Sequence, residues 1–215
     1  MSGETIPVVR ALIDELEANR SMFEALCVAC RGSDLERTAP DGEWTVLEHI
    51  AHLASYDVLA IQQIEHARLV QAGASSPEEP GLPNAPALPE GDAWNEAQVA
   101  RRAGRSIAVH LGEMEGLRQR VLPLVDGLNA RALSREIQFP GDAQRNPGAV
   151  PLRLWLERWS KHDMIHAREM LQAIPEIGAS SDFRSWLADD PLLEALHRGD
   201  EIRRDRDPGR GREQR

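Results

Sequence analysis

His162 and His166 stand four residues apart in the run Trp155-Leu156-Glu157-Arg158-Trp159-Ser160-Lys161-His162-Asp163-Met164-Ile165-His166. On an α-helix this spacing sets two imidazoles one turn apart on one face, the way a helix offers two nitrogens to one metal ion. Trp155, Trp159, His162 and His166 follow one another at intervals of 4, 3 and 4, so the pair continues an apolar stripe and is predicted to point inward. His52 occupies the same kind of position in Trp44-Thr45-Val46-Leu47-Glu48-His49-Ile50-Ala51-His52-Leu53, ahead of Tyr56 and Leu59. Inward histidines on two helices can converge in a bundle core, where such proteins build metal sites. Three imidazoles leave coordination positions open for water or substrate, as catalytic sites do and closed structural sites do not. Imidazole suits zinc, nickel, iron and copper. The competing reading is that all three are ordinary core histidines, since an i, i+4 pair arises by chance in many helices.

Around these residues the candidates for chemistry are few. Asn95 and Arg102, on a predicted third helix, are the candidate catalytic residues, able to hold a substrate carboxylate or the polar groups of a cofactor; arginine does this through bidentate contacts. Arg105, nearby, reads as a surface residue. Glu48 lies one turn before His52 but is better explained as half of a helix cap. Asp163 and Glu169 flank the His pair and either could orient an imidazole, although a surface charge is the simpler reading for both. His49 reads as a residue of the helix flank that could enlarge the site, and Trp44 and Trp159 read as core residues near it. His66, His110 and His197 suggest no partner. Cys27 and Cys30 form a C-x-x-C pair that can mean a redox couple or half a zinc site. With no second cysteine pair and an apolar helical setting, they read as two small residues of the first helix.

The elements that must position these side chains follow from helical periodicity. Val8, Leu12, Leu16, Phe23 and Leu26 recur at helical spacing in a first helix over 4–31 that stops at Gly32. The second helix opens with a Thr45/Glu48 capping box and runs to about Ala72. Five prolines between Ser75 and Pro89 exclude helix there and indicate a long crossover. A third helix is predicted from Asp92, as N-cap, to Leu122, with Gly104, Gly112 and Gly116 weakening it. Residues 135–139 suit a short strand closing a hairpin through Gly141-Asp142. Pro151 opens a fourth helix that ends at Ile174, before Pro175. The pattern predicts an all-α protein: a four-helix bundle over 1–175 with at least one crossover, then an extension over 176–215. Two short helices are expected first in that extension, and a disordered Arg/Asp/Gly-rich tail after Gly199.

Composition narrows the function. The formal net charge is -10, which repels phosphate backbones and anionic lipid, so neither nucleic acid nor membrane is an expected partner. No apolar run approaches the roughly 20 residues of a membrane span, the N-terminus lacks a signal core, and the two cysteines imply no disulfide framework. The expectation is a cytoplasmic protein. Lys161 is the sole lysine, so Schiff-base chemistry would rest on it alone.

The motif Trp44-Thr45-x-x-Glu48-x-x-x-His52-Leu53, the pair His162-x-x-x-His166 and the segment Asp92-Ala93-Trp94-Asn95 together resemble the DinB/YfiT-like superfamily over roughly residues 5–174. The resemblance implies an up-down-down-up bundle and one divalent metal ion, zinc, nickel or iron, on His52, His162 and His166. It implies an enzyme that transfers a low-molecular-weight thiol, of the mycothiol or bacillithiol type, to an electrophilic small molecule. Relatives of this kind include thiol-dependent S-transferases, a mycothiol-dependent maleylpyruvate isomerase and metal-dependent hydrolases, so fold and ligands carry over better than the reaction. The alternatives are a metal-dependent hydrolase and a non-catalytic bundle that binds metal or a small ligand. A homodimer through an apolar bundle face is the expected assembly, and a small molecule the expected substrate.

Overall fold

The computed structural model describes residues 6–40, 42–71, 91–139, 147–188 and 190–195. In chain order they form α1 (Pro7–Ala29), a 3-10 turn (Gly32–Asp34), α2 (Val46–Gln71), α3 (Gly91–Arg102), α4 (Ile107–Asp126), α5 (Ala130–Leu133), β1 (Glu136–Phe139), β2 (Gly148–Pro151), α6 (Leu152–Ser160), α7 (His162–Ala173), α8 (Pro175–Gly178) and α9 (Ser181–Leu187). The described residues are therefore mostly helical, as the periodicity predicts, with one two-stranded ribbon among them. The proline-rich stretch 75–89, the Gly141-Asp142 turn, His197 and the tail after Gly199 lie outside the described residues.

Two of the predicted helices are broken. The third ends at Arg102 and restarts at Ile107 as α4. Between them Gly104 has φ +75°, a left-handed conformation that suits glycine because it has no Cβ. Its first half starts at Gly91, which puts Asp92 inside the helix and not at its N-cap. The fourth is interrupted at Lys161, between α6 and α7. There the Ser160 hydroxyl lies 2.6 Å from Glu15 Oε2 and 2.8 Å from the Glu157 carbonyl. The start of α2 follows its sequence signal. The Thr45 N–H donates to Glu48 Oε2 at 2.7 Å, and the Glu48 N–H to Thr45 Oγ1 at 3.3 Å, the reciprocal pairing of a capping box.

The chain divides into two compact units, each built from two stretches: Met1–Ala18 with Ile50–Ser160, and Asn19–His49 with Lys161–Arg215. In the first unit, α1, α2, α4 and α6 form a helical bundle. Leu12 and Leu16 of α1, Ile61 and Ile64 of α2, Val121 and Val125 of α4, and Leu152 and Leu156 of α6 share one apolar core. Arg118, buried in it, donates to the Leu16 carbonyl at 3.2 Å and to Asp57 Oδ1 at 3.3 Å. Its guanidinium also lies 5.1 Å from the centre of the Trp159 ring, a cation–π contact. The ribbon is antiparallel, pairing Glu136 with Pro151 and Phe139 with Gly148, so a strand forms where 135–139 suggested one.

In the second unit Phe23, Leu26, Val46, Met164, Met170, Ile174, Phe183 and Leu193 are buried. The connector ahead of α2 is tied to it by backbone bonds from Val46 to Arg37 and from Leu47 to Leu35. Arg20 and Asp163 form a buried ion pair, and Arg37 pairs with Glu176 at the surface. Asp163, which reads from the sequence as a surface charge, is thus an interior one. Trp186 donates to Asn19 at 2.9 Å, and Lys161 meets Asp190 at 2.5 Å. No described helix is long and apolar enough to cross a membrane.

Candidate metal centre

α7 opens on His162 and carries His166 one turn later. The two Nε2 atoms lie 3.1 Å apart, with ring centres 4.6 Å apart and planes at 82°. Two nitrogens that each reach about 2.1 Å to one zinc-sized ion stand roughly 3–3.5 Å from one another. The pair is therefore spaced as two ligands of one cation. His166 is buried and His162 half-buried.

The second nitrogen of His166 has its own surroundings. Nδ1 lies 3.0 Å from Nδ1 of His49, in the first turn of α2. Oε2 of Glu169, three residues after His166 on the same helix face, lies 3.5 Å from each of these nitrogens. The ligand atoms of His49, His166 and Glu169 are all mutually within 4.8 Å, close enough to hold a metal ion in their own right. Trp44 covers both rings, stacked on His166 at 6.0 Å and edge-on to His49 at 5.5 Å. The capping box fixes where α2 begins, and so the direction in which His49 leaves it. His49 and Glu169, which sequence reasoning leaves at the helix flank and the surface, are thus partners of His166. For Glu169 a signal was available in its i, i+3 spacing from His166.

His52 lies three residues beyond His49 on α2, 2% exposed, within the first unit. Its ring meets Tyr56 edge-on at 5.9 Å. Trp159 is also in the first unit, stacked on Trp155. Asn95 is half-buried on α3. Arg102 is buried, and its guanidinium is already engaged. NH2 donates to Glu113 Oε1 at 2.7 Å, Nε to Glu113 Oε2 at 3.3 Å, and NH1 to the Gln98 carbonyl at 3.3 Å. The fork expected to take a substrate carboxylate is therefore bound to a carboxylate of the protein. Arg105 joins Glu113 from the other side at 3.1 Å.

His110 is buried and its pKa is lowered, burial being the main cause, with Arg102 and Arg105 adding to it against Glu113. Cys27 and Cys30 are free thiols. Burial pushes Cys27 well up, aided by Cys30 and Asp163, and raises Cys30 to about 11. Thiols held in the neutral form are poor nucleophiles, in keeping with the reading of the pair as two small residues of the first helix.

The model of the DinB superfamily matches residues 15–170. Among solved structures, the mycothiol-dependent maleylpyruvate isomerase matches with a TM-score of 0.51 at 18% identity, over 80% of this chain and 66% of that one. A mutant of the same enzyme matches with a TM-score of 0.52 at 18% identity. The chain thus spans 66% of the isomerase's length, and at such identity the likeness concerns the fold. No curated protein matches. The family resemblance read from the motifs on the second and last bundle helices is borne out over residues 15–170, and the chain belongs to the DinB superfamily.

Proposed function

We propose that the chain is a metal-dependent enzyme that holds one divalent ion on His52, His162 and His166 and transfers a low-molecular-weight thiol, of the mycothiol or bacillithiol type, to an electrophilic small molecule. The observation that carries this reading is the 3.1 Å approach of the Nε2 atoms of His162 and His166. Two neutral imidazoles with facing nitrogens are a donor set for zinc, nickel or iron. His52 is proposed as the third donor because it follows His49 by three residues on one helix, on the face whose previous turn touches His166. When bound, the ion supplies a lowered pKa to a thiol or water at its open position. The residues of the chain then do the rest. The three imidazoles stay neutral, so the site keeps a net positive charge that favours a thiolate. Trp44 covers His166 and His49 with an apolar surface, and Asn95 is the polar side chain proposed to meet the substrate. That the solved neighbours are mycothiol-dependent supports a thiol over water as the group activated.

Elemental analysis of the freshly purified protein beside His52→Ala and His166→Ala tests the metal. One equivalent of zinc, nickel or iron, lost in both variants, is expected. The loaded protein is then offered electrophiles with mycothiol, with bacillithiol and with neither. Turnover only with a thiol supports the transferase; turnover in water alone makes it a hydrolase. No metal in the wild type, even after incubation with zinc or nickel, would leave a non-catalytic bundle.

A further inference from the structure

We infer that His49 and Glu169 are positioning residues for the metal centre: His49 accepts a hydrogen bond from the Nδ1–H of His166, the Glu169 carboxylate stabilises that proton from beside it, and Nε2 of His166 is left for the ion. The inference rests on the metal reading above and adds residues that lie outside the proposed ligand set. A neutral imidazole carries one proton, and a ring that binds metal through Nε2 must carry it on Nδ1. In His166 the two nitrogens face different neighbours. Nε2 lies 3.1 Å from Nε2 of His162, and Nδ1 lies 3.0 Å from Nδ1 of His49. Once Nδ1 of His166 is the donor, Nδ1 of His49 must be the acceptor, and the proton of His49 moves to its Nε2. The Glu169 carboxylate, 3.5 Å from both Nδ1 atoms, draws proton density to that side of the cluster. It thereby favours a proton on the Nδ1 side, and an ion on Nε2 beside His162 then selects His166 as the ring that carries it. A carboxylate or carbonyl behind a ligating imidazole both orients the ring and raises its basicity. Here the ring plane is further set by Trp44, stacked on it at an interplanar angle of 22°.

The same three residues could instead bind an ion themselves, since their donor atoms are close enough. A single ring cannot give Nδ1 to one ion and Nε2 to another without losing its last N–H proton. The two arrangements therefore compete for His166, and the facing Nε2 of His162 favours the first.

The test compares wild type, Glu169→Gln, Glu169→Ala and His49→Ala by zinc titration against a competing chelator. The absorption of the cobalt-substituted proteins and the imidazole 15N shifts of the zinc-loaded wild type complete it. Melting curves of the metal-free proteins check that each is folded. The expected result is unchanged stoichiometry with affinity about 10–100-fold weaker in both alanine variants. Glu169→Gln, which keeps an acceptor, should lose less. Altered cobalt bands in the alanine variants and a protonated Nδ1 on His166 are expected as well. Alanine variants within threefold of wild type would overturn the inference, as would zinc found on Nδ1 of His166. A stoichiometry that falls by a whole ion in Glu169→Ala would also overturn it, by making Glu169 a ligand. Failure of the metal reading itself is visible separately, as a wild type that takes up no zinc at all.

Discussion

Arg20 grips Asp163 with two parallel hydrogen bonds, Nε to Oδ2 at 2.8 Å and NH2 to Oδ1 at 3.1 Å. Both side chains are only 5% exposed. The pair ties the middle of α1 to the first turn of α7, one residue after His162. An acidic residue there also complements the positive end of the helix dipole. Removing one partner strands a buried charge, which typically costs about 3–5 kcal/mol. Arg20→Ala is therefore expected to lower the unfolding free energy by that order in urea titrations. The double variant Arg20→Met/Asp163→Leu should recover most of the loss. If Arg20→Ala unfolds at the wild-type urea midpoint, the pair contributes nothing and α7 is anchored by its apolar face.

The glycines of the interrupted third helix make opposite predictions. At Gly104 a side chain meets no neighbour within 4 Å, but φ is +75°. Gly104→Ala should cost about 1–2 kcal/mol from backbone strain alone. Gly112 and Gly116 lie within α4 and also have nothing within 4 Å of an added Cβ. Replacing either with alanine should stabilise the protein by about 0.5–1 kcal/mol. Thermal melts of the three variants separate the two cases, and a stabilising Gly104→Ala would refute the left-handed junction.

The two cysteines predict an alkaline limit to stability. Burial holds both thiols neutral, with Cys30 raised from 9.0 to about 11 and Cys27 raised further up than an ordinary thiol. A group that binds its proton more tightly when folded adds stability below its unfolded pKa, and loses it as pH rises through the folded one. No effect of these thiols is expected up to pH 9, followed by falling stability between about 9 and 11. Cys27→Ala should flatten that slope. Alkylation by iodoacetamide at pH 8 should be slow for both; rapid labelling of Cys30 at that pH would contradict its raised pKa.

Chelation gives a prediction about the whole fold. A ligand bound only by the native state, at a hundred times its dissociation constant, stabilises it by about 2.7 kcal/mol. Dialysis of a metal-loaded sample against a strong chelator should lower its melting temperature by several degrees, reversibly on adding zinc back. His162→Ala, which removes one proposed ligand, should melt alike with and without chelator.

Much of this was legible in the sequence wherever the governing contact is local. The capping box at Thr45 and Glu48 and the ligand-like spacing of His162 and His166 involve residues three or four apart, and helical geometry brings such residues together. The helix breaks were less legible. Gly104 was visible as a weakness, but whether a glycine bends or merely loosens a helix depends on what lies on either side of it. The break at Lys161 gave no warning at all. The partners of His166 were hidden for another reason. His49 is 117 residues away from it, and nothing in periodicity tells two such rings that they will meet. Asp163 was misread as a surface charge because Arg20, 143 residues earlier, has no pattern linking it to α7.

The interleaving of the two units carries a consequence for synthesis. The chain passes from one unit to the other after Ala18, again after His49 and again after Ser160. Residues 19–49 are made early, yet their partner stretch begins only at Lys161. Until then Arg20 has no Asp163 and His49 has no His166. A nascent chain that has emerged as far as α6 therefore carries a segment whose partner stretch is still unmade. No contiguous fragment contains either unit whole without residues of the other, and a cut anywhere between Asn19 and Ser160 divides both. The contacts of His49 with His166 can form only once α7 has been made.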